Sequence, residues 1–247
     1  MDGLQTLIKL TVIDFIIYAL PVTFIELLSV LAGIYYLKRS KPKHPITKYF
    51  VWFLGFTFFT EVVGAYSPIA YFSEYEYFGF VKDTNFERNK WLYNIYSLVF
   101  AVFFTMYFRH YLRNKLWRLI LKIVVVLFVV SSIINLAITG VFFEEDSEYV
   151  NLLGTFLIFF SITLFYFELL RSDILLNLKR YLPLYVSIGV LVFTLCMTPL
   201  SIFSEYFNEE NSAFVKLQSH LILYSNLFMY TFFIIGFYIC RKRTTYS

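Results

Sequence analysis

Charged residues are scarce in this sequence, and so are the residues that build metal and covalent catalytic sites. Of 247 residues, only 15% are Asp, Glu, Lys or Arg, whereas a soluble domain carries about 25%. The chain has three histidines and two cysteines. Too few charges are present to cover a water-exposed globular surface, so an ordinary soluble domain is excluded.

The few histidines and cysteines do not form a recognisable site. His44 and His110 fall on one side of the predicted topology and His220 near the other, so they cannot share a metal ion. Cys196 and Cys240 fall near opposite ends of different spans, and no disulfide is expected. No H-E-x-x-H or G-x-S-x-G motif occurs. We predict no catalytic residue, metal or cofactor, and an enzyme is the less favoured interpretation.

Long apolar runs dominate what the sequence does contain. The chain is 59% hydrophobic and 22% aromatic, with a mean hydropathy of +0.67. A membrane-spanning helix needs about 20 mostly apolar residues. Seven stretches qualify: Val12–Leu37, Tyr49–Tyr66, Trp91–Tyr111, Leu119–Val141, Val150–Leu170, Leu184–Phe203 and Gln218–Cys240. The second has the least certain end, because Pro68 and residues 69–72 could extend it. The prediction is an all-α polytopic membrane protein, with one seven-helix transmembrane domain over residues 1–247.

The basic residues predict the orientation of this bundle. Sixteen of the 21 Lys and Arg residues cluster on one side: Lys38, Arg39, Lys41, Lys43, Lys48, Arg109, Arg113, Lys115, Arg118, Lys122, Arg171, Lys179, Arg180, Arg241, Lys242 and Arg243. The other side carries acidic residues: Glu144, Glu145, Asp146, Glu148, Glu205, Glu209 and Glu210. Basic loops face the cytoplasm, so the N-terminus is predicted outside and the C-terminus inside. Because the basic residues flank apolar runs, the expected partner is the lipid bilayer and not a nucleic acid.

The N-terminus and the composition add two expectations about localisation. Residues 1–3 lack the basic region of a cleavable signal peptide, so the first helix is expected to be retained. Phe, Tyr, Ile, Leu and Lys are abundant, as in proteins of AT-rich bacterial genomes. A multi-pass protein of a bacterial cytoplasmic membrane is the favoured interpretation.

Three glutamates lie within the apolar runs. Glu26 lies 12 residues before Lys38 and Glu61 lies 13 residues after Lys48, which places them about 18 and 20 Å from the cytoplasmic ends of their helices. Charged groups at this depth are costly and usually mark a functional site. Glu168 is only three residues from Arg171 at the cytoplasmic interface, where an ion pair is expected.

Other polar residues fall in the same band of depth. They are Asn94, Asn135, Asn226, Thr194 and Tyr224, with further hydroxyls on Tyr93, Tyr96 and Ser225. The functional interpretation is a polar pocket that opens outward and binds a small molecule or cation. No Lys or Arg lies at that depth, so a proton, a cation, an amine ligand or water must balance the two carboxyls. The alternative is that the asparagines only bond helices together, at about 0.6 kcal/mol each.

The longest outer connection, Ser67–Lys90, is rich in aromatic residues. Tyr71, Phe72, Tyr75, Tyr77, Phe78 and Phe80 lie among its acids. A short interfacial helix and a lid over the bundle are both compatible with this pattern. The favoured interpretation is an aromatic anchor at the level of the lipid headgroups.

Three functions are weighed for the bundle. The favoured one is small-molecule binding or sensing, with the signal passed to a cytoplasmic or membrane protein partner. The alternative is a proton- or cation-coupled secondary transporter of 3+1+3 type, similar to SWEET sugar carriers: Asn94 and Asn226 each lie 15 residues before a cytoplasmic arginine, although the Pro-Gln pair of that family is absent. The second alternative is a structural membrane subunit. A retinal protein is excluded, because Gln218–Cys240 holds no lysine to form a Schiff base.

Overall fold

The structure is mainly helical in the part of the chain that it describes. This computed structural model describes residues 2–40, 44–202 and 212–241, and no strand occurs among them. Phe203, the predicted end of the sixth span, lies outside the described residues. So do several charged residues used to predict the orientation: Lys41, Lys43, Glu205, Glu209, Glu210, Lys242 and Arg243.

Nine α-helices occur in the described residues, and seven spans are formed from them. The helices are α1 (Asp2–Ser40), α2 (Ile46–Gly64), α3 (Tyr66–Phe72), α4 (Lys90–Tyr111), α5 (Lys115–Thr139), α6 (Val141–Glu144), α7 (Glu148–Leu170), α8 (Leu182–Ile202) and α9 (Ser212–Ile239). The stretches long and apolar enough to cross a membrane are Phe15–Ser40, Ile46–Phe72, Lys90–Tyr111, Lys115–Thr139, Glu148–Leu170, Leu182–Ile202 and Lys216–Ile239. The prediction of seven apolar helices long enough to cross a membrane is confirmed in the described residues, which are mainly helical and fit a multi-pass membrane protein.

The second span differs most from its predicted bounds. It was expected to end at Tyr66, but α3 continues the apolar stretch to Phe72 after a turn at Ala65. Pro68 lies in the first turn of α3, where the missing amide hydrogen costs no helical hydrogen bond. The extension that Pro68 and residues 69–72 suggested is therefore present.

Local capping explains several helix ends. The Asn114 side chain accepts a hydrogen bond from the Leu116 amide and begins α5, and Ser147 caps the Val150 amide at the start of α7. Gly140 ends α5 with a φ of +70°, a conformation that glycine adopts without a steric penalty. The chain then turns back through the short helix α6.

Six spans enclose the interior of the bundle. Each of α1, α2, α4, α7, α8 and α9 packs against the next in that order, and α9 packs against α1. The fourth span, α5, lies outside this ring against α4 and α7. The contact between α8 and α9 is close at Gly236, where an added Cβ would lie 2.7 Å from the Tyr185 Cβ. Small residues at such crossings let membrane helices approach.

The connection after α3 is tied back onto the span that precedes it. The Ser67 hydroxyl donates to the Glu87 backbone carbonyl at 2.8 Å, and the side-chain amide of Asn89 donates to the Gly64 backbone carbonyl at 2.7 Å. The Tyr75 hydroxyl bonds the Glu87 carboxylate, which raises the pKa of Tyr75 to about 12. Between α3 and α4 the chain forms only one 3-10 turn, Gly79–Val81. This loop therefore does not form one interfacial helix. Tyr77 and Phe80 are exposed, and the aromatic anchor stays a prediction.

We name the two ends of the bundle by their charges. The basic end is where α1 ends and α2 begins, near Lys38, Arg39 and Lys48; the acidic end is the region of α6, with Glu144 and Asp146. Aromatic rings fill the interior of the ring of helices toward the basic end. The side chains of Phe50, Phe104, Tyr107, Phe233 and Phe237 are almost completely buried there, and the Phe53 and Phe103 rings stack with centroids 4.1 Å apart.

Candidate binding site

A cavity of about 740 Å³ lies inside the ring of helices and contains both deep glutamates. Residues of α1, α2, α3, α4, α8 and α9 line it. The polar lining residues are Tyr18, Thr23, Glu26, Thr57, Thr60, Glu61, Asn89, Tyr93, Tyr96, Asn226 and Tyr230. The cavity extends from the glutamates to Pro68 and Asn89 toward the acidic end. Its volume is within the range of about 300–1,000 Å³ found for small-molecule sites.

Glu26 is the most deeply buried charged group of this cavity. Its side chain is only 3% exposed. One carboxyl oxygen, Oε2, has no hydrogen-bond partner among the described residues, and the Tyr230 hydroxyl faces the same carboxyl closely enough to interact with it. Burying such a group without a partner costs free energy. Glu26 therefore lines the cavity with a deeply buried carboxyl group that is only partly satisfied.

Glu61 is held by a tyrosine from the neighbouring span. The Tyr93 hydroxyl of α4 donates to Glu61 Oε2 at 3.1 Å. This approach depends on Gly64, one turn further along α2, because an added Cβ there would lie 2.7 Å from the Tyr93 hydroxyl oxygen. The sequence thus places a glycine at the point where a larger residue would push Tyr93 away from Glu61.

The two carboxyl groups are close enough to repel each other when both are ionised. None of the residues that line the cavity in the described part of the chain is Lys, Arg or His. Charges interact more strongly in the apolar interior of a bundle than in water. The site therefore favours a proton, or a cation from outside the chain, between Glu26 and Glu61.

Tyr230 is a site residue that sequence reasoning missed. Tyr230 is 2% exposed and faces Glu26. On the same cavity, the Tyr96 hydroxyl donates a hydrogen bond to the Thr57 hydroxyl oxygen at 3.5 Å. Tyr230 lies four residues after Asn226 in α9, so both share one helix face. The four-residue spacing from Asn226 is the sequence feature that could have identified Tyr230 as a site residue. A tyrosine in an aromatic-rich span, however, cannot be distinguished by sequence from tyrosines that face lipid.

Asn94 and Asn135 lie away from this cavity, at the turn between α6 and α7. The Asn94 amide donates to the carbonyls of Phe142 and Glu145 at 3.1 and 2.9 Å, and its oxygen accepts from the Ser147 amide at 2.8 Å. The Asn135 oxygen accepts from the Ser147 hydroxyl at 3.3 Å. These asparagines bind the turn after α6, and only Asn226 of the three lines the cavity with the glutamates.

The remaining predicted site residues are also separated. Thr194 is buried in α8 and donates to the Val190 carbonyl of its own helix at 2.9 Å; it lines a second cavity of about 840 Å³ between α4, α7, α8 and α9. Tyr224 is 63% exposed and stacks on His220. The structure therefore brings together Glu26, Glu61 and Asn226, and it places the other four predicted residues elsewhere.

The chain matches no protein-family model, no curated protein and no solved structure. Its function is therefore inferred from the geometry of the cavity.

Glu168 also has a different partner from the one predicted. Its carboxylate accepts hydrogen bonds from the Arg113 amide and, at 3.1 Å, from the Asn114 amide, where α5 begins. The Arg171 guanidinium instead lies over the Phe167 ring, 4.0 Å from its centroid. Glu168 thus connects the basic end of α7 to the turn between α4 and α5, and no residue of α7 lines the cavity of Glu26 and Glu61.

His44 and His110 meet at the basic end. Their ring nitrogens lie 3.3 Å apart, while His220 is on α9, ten residues before Tyr230. No group of three His, Cys, Asp or Glu side chains suited to a metal ion occurs among the described residues.

Proposed function

We propose that this chain is a membrane-embedded module that binds or senses a small molecule. The observation that carries the proposal is the cavity that holds Glu26 and Glu61, in which a buried carboxyl oxygen has no partner. An ionisable group inside a membrane bundle is expensive to maintain unless it serves a function. A ligand or proton bound at these two carboxyl groups would offset that cost.

The orientation of the bundle completes this proposal. Basic residues flank the end at which α1, α4 and α7 finish, and such an end faces the cytoplasm. The cavity extends toward the opposite end, while aromatic side chains fill the interior toward the basic end. A ligand would therefore reach Glu26 and Glu61 from the outside, and the basic loops would contact a partner protein in the cytoplasm of the cell, which we take to be bacterial.

Replacing either glutamate by glutamine should abolish ligand- or pH-dependent stabilisation. The purified full-length protein would be screened in detergent against small metabolites over a range of pH, with thermal unfolding as the readout. A ligand at 100 times its dissociation constant stabilises the folded state by about 2.7 kcal/mol. We expect that shift for the wild type and not for Glu26→Gln or Glu61→Gln.

The control for this screen is Glu76→Gln, which removes one carboxylate from an exposed loop position. It should retain the wild-type response. Identical unfolding curves for all four proteins with every compound and at every pH would contradict the proposal and would favour the structural-subunit alternative.

A proton- or cation-coupled carrier is the second candidate, and one observation favours it. Three spans before α5 and three after it form the ring, while α5 lies outside, as a 3+1+3 arrangement requires. A carrier exposes its site to each side in turn. In a variant without Cys196 and Cys240, a cysteine replacing Asn226 should then react with an impermeant thiol reagent from both membrane faces. Reaction from the outside alone is the result expected for the sensor.

A further inference from the structure

The residues of the cavity also indicate the chemical class of its ligand. We infer that the cavity between Glu26 and Glu61 takes an organic monocation, an ammonium group carried on an apolar body. This inference rests on the proposed binding function and adds the charge and shape of the ligand to it.

The charges of the lining residues exclude anionic ligands. Two carboxyl groups face the cavity, and the lining residues in the described chain include no cation that could bind a phosphate or carboxylate. An ammonium group donates up to three hydrogen bonds. Glu26 and Glu61 both line the cavity and supply carboxyl acceptors for such a donor, and they lie close enough to share its charge.

The donor set is unsuited to a divalent metal ion. Calcium takes six to eight oxygen ligands, and magnesium requires near-ideal octahedral geometry. The described residues provide two carboxyls here and no third acidic, His or Cys side chain at the site. The neutral tyrosine hydroxyls, of which Tyr93 donates to Glu61 and Tyr96 to Thr57, are weaker ligands for such ions than carboxylates.

The rest of the lining suits an organic cation. Three tyrosines, Tyr93, Tyr96 and Tyr230, line the cavity together with the carboxyls, and aromatic rings attract ammonium groups, most strongly where water is excluded. Apolar side chains of α1, α2, α3, α8 and α9 make up most of the remaining wall, among them Phe15, Leu20, Val62, Ile69, Met197 and Ile222. An inorganic monocation would leave this wall unused, whereas the apolar body of an amine would fill it.

Part of the wall reaches the outer surface of the bundle. Leu20 of α1 and Val62 of α2 line the cavity, and they are 54% and 51% exposed on the bundle surface. The cavity therefore borders the region that lipid would occupy. The apolar body of a bound amine would lie against this part of the wall, with its ammonium group directed inward to the carboxyls.

The test compares two probes of nearly equal size, 2-phenylethylamine and 2-phenylethanol. Binding to the purified full-length protein would be followed by tryptophan fluorescence and thermal stabilisation near pH 7.5, where the amine is charged. Hydrogen bonds to charged groups contribute about 1.5–3 kcal/mol, so the alcohol should bind at least about tenfold more weakly. Glu61→Gln and Glu26→Gln should each reduce the affinity for the amine to that for the alcohol, and they should leave the affinity for the alcohol unchanged. Glu76→Gln should change neither the affinity for the amine nor the affinity for the alcohol.

Other outcomes would overturn the assignment of an organic cation. Equal affinity for amine and alcohol would overturn the cation assignment but leave the cavity as a binding site. Amine binding that persists in both glutamate variants would place the amine elsewhere and would also overturn the assignment. If Glu26→Gln does not fold, the half-buried Glu61 carries the test alone. If neither probe binds, the ligand class is wrong; the proposed function fails as well only if the metabolite and pH screen is also negative.

Discussion

Replacing Asn94 by alanine should lower the free energy of unfolding by about 3 kcal/mol. The side chain is 2% exposed and makes three hydrogen bonds to the backbone of the turn after α6. Alanine would leave the buried Ser147 amide without its acceptor, and an unsatisfied buried donor costs about 1–3 kcal/mol. Thermal and denaturant unfolding of the purified protein in detergent would measure the loss.

Asn226→Ala is the matched control for this prediction. Its amide donates to the Ile222 carbonyl of its own helix at 2.8 Å, and that carbonyl lies within a regular helix. Removing it should cost less than about 1 kcal/mol, as is usual for polar groups in membrane helices. Equal losses in the two variants would show that the turn after α6 does not depend on Asn94.

Glu168→Ala should lower the free energy of unfolding by about 1–2 kcal/mol. The carboxylate satisfies two backbone amides at the start of α5, and a negative charge at a helix N-terminus is favourable. The effect should be largest at low ionic strength, because salt screens a partly exposed charge. Glu168→Gln retains one acceptor oxygen and should lose less.

Arg171→Ala distinguishes this cap from the ion pair that the i,i+3 spacing suggested. The Arg171 guanidinium lies over the Phe167 ring, an interaction that is worth about 0.5–1 kcal/mol at an exposed position. The arginine variant should therefore lose less stability than Glu168→Ala. The opposite result would be that Glu168→Ala and Arg171→Ala lose equal stability and that the double variant loses no more than either single variant. In that case the two side chains act as an ion pair, and the hydrogen bonds of Glu168 to the start of α5 are unimportant.

The glutamates of the site could be selected from the sequence for a simple reason. A carboxyl group inside a long apolar run has a high cost in a membrane, so its presence demands an explanation. Counting residues from the basic ends placed Glu26 and Glu61 at similar depth, and the structure has both on one cavity. Depth along a helix follows directly from the rise per residue.

The same count failed to separate the asparagines, because depth does not give the direction in which a side chain points. A helix that is apolar on all sides provides no polar face from which that direction could be predicted. Asn94 and Asn226 share a depth, yet Asn94 meets the turn after α6 while Asn226 lines the cavity. The chain reaches α6 through Gly140, whose αL conformation ends α5; the predicted fourth span, which ended at Val141, had included this residue in a helix.

The sequence by itself determined that this is a seven-span helical membrane protein with costly carboxyl groups in its interior, because run length and composition are local properties. Only the tertiary structure decided which polar groups meet. It joined Glu26, Glu61 and Tyr230 around one cavity and directed Asn94 and Asn135 to Ser147. Those pairings depend on how each helix is rotated about its axis, and that rotation is set by packing against neighbouring helices.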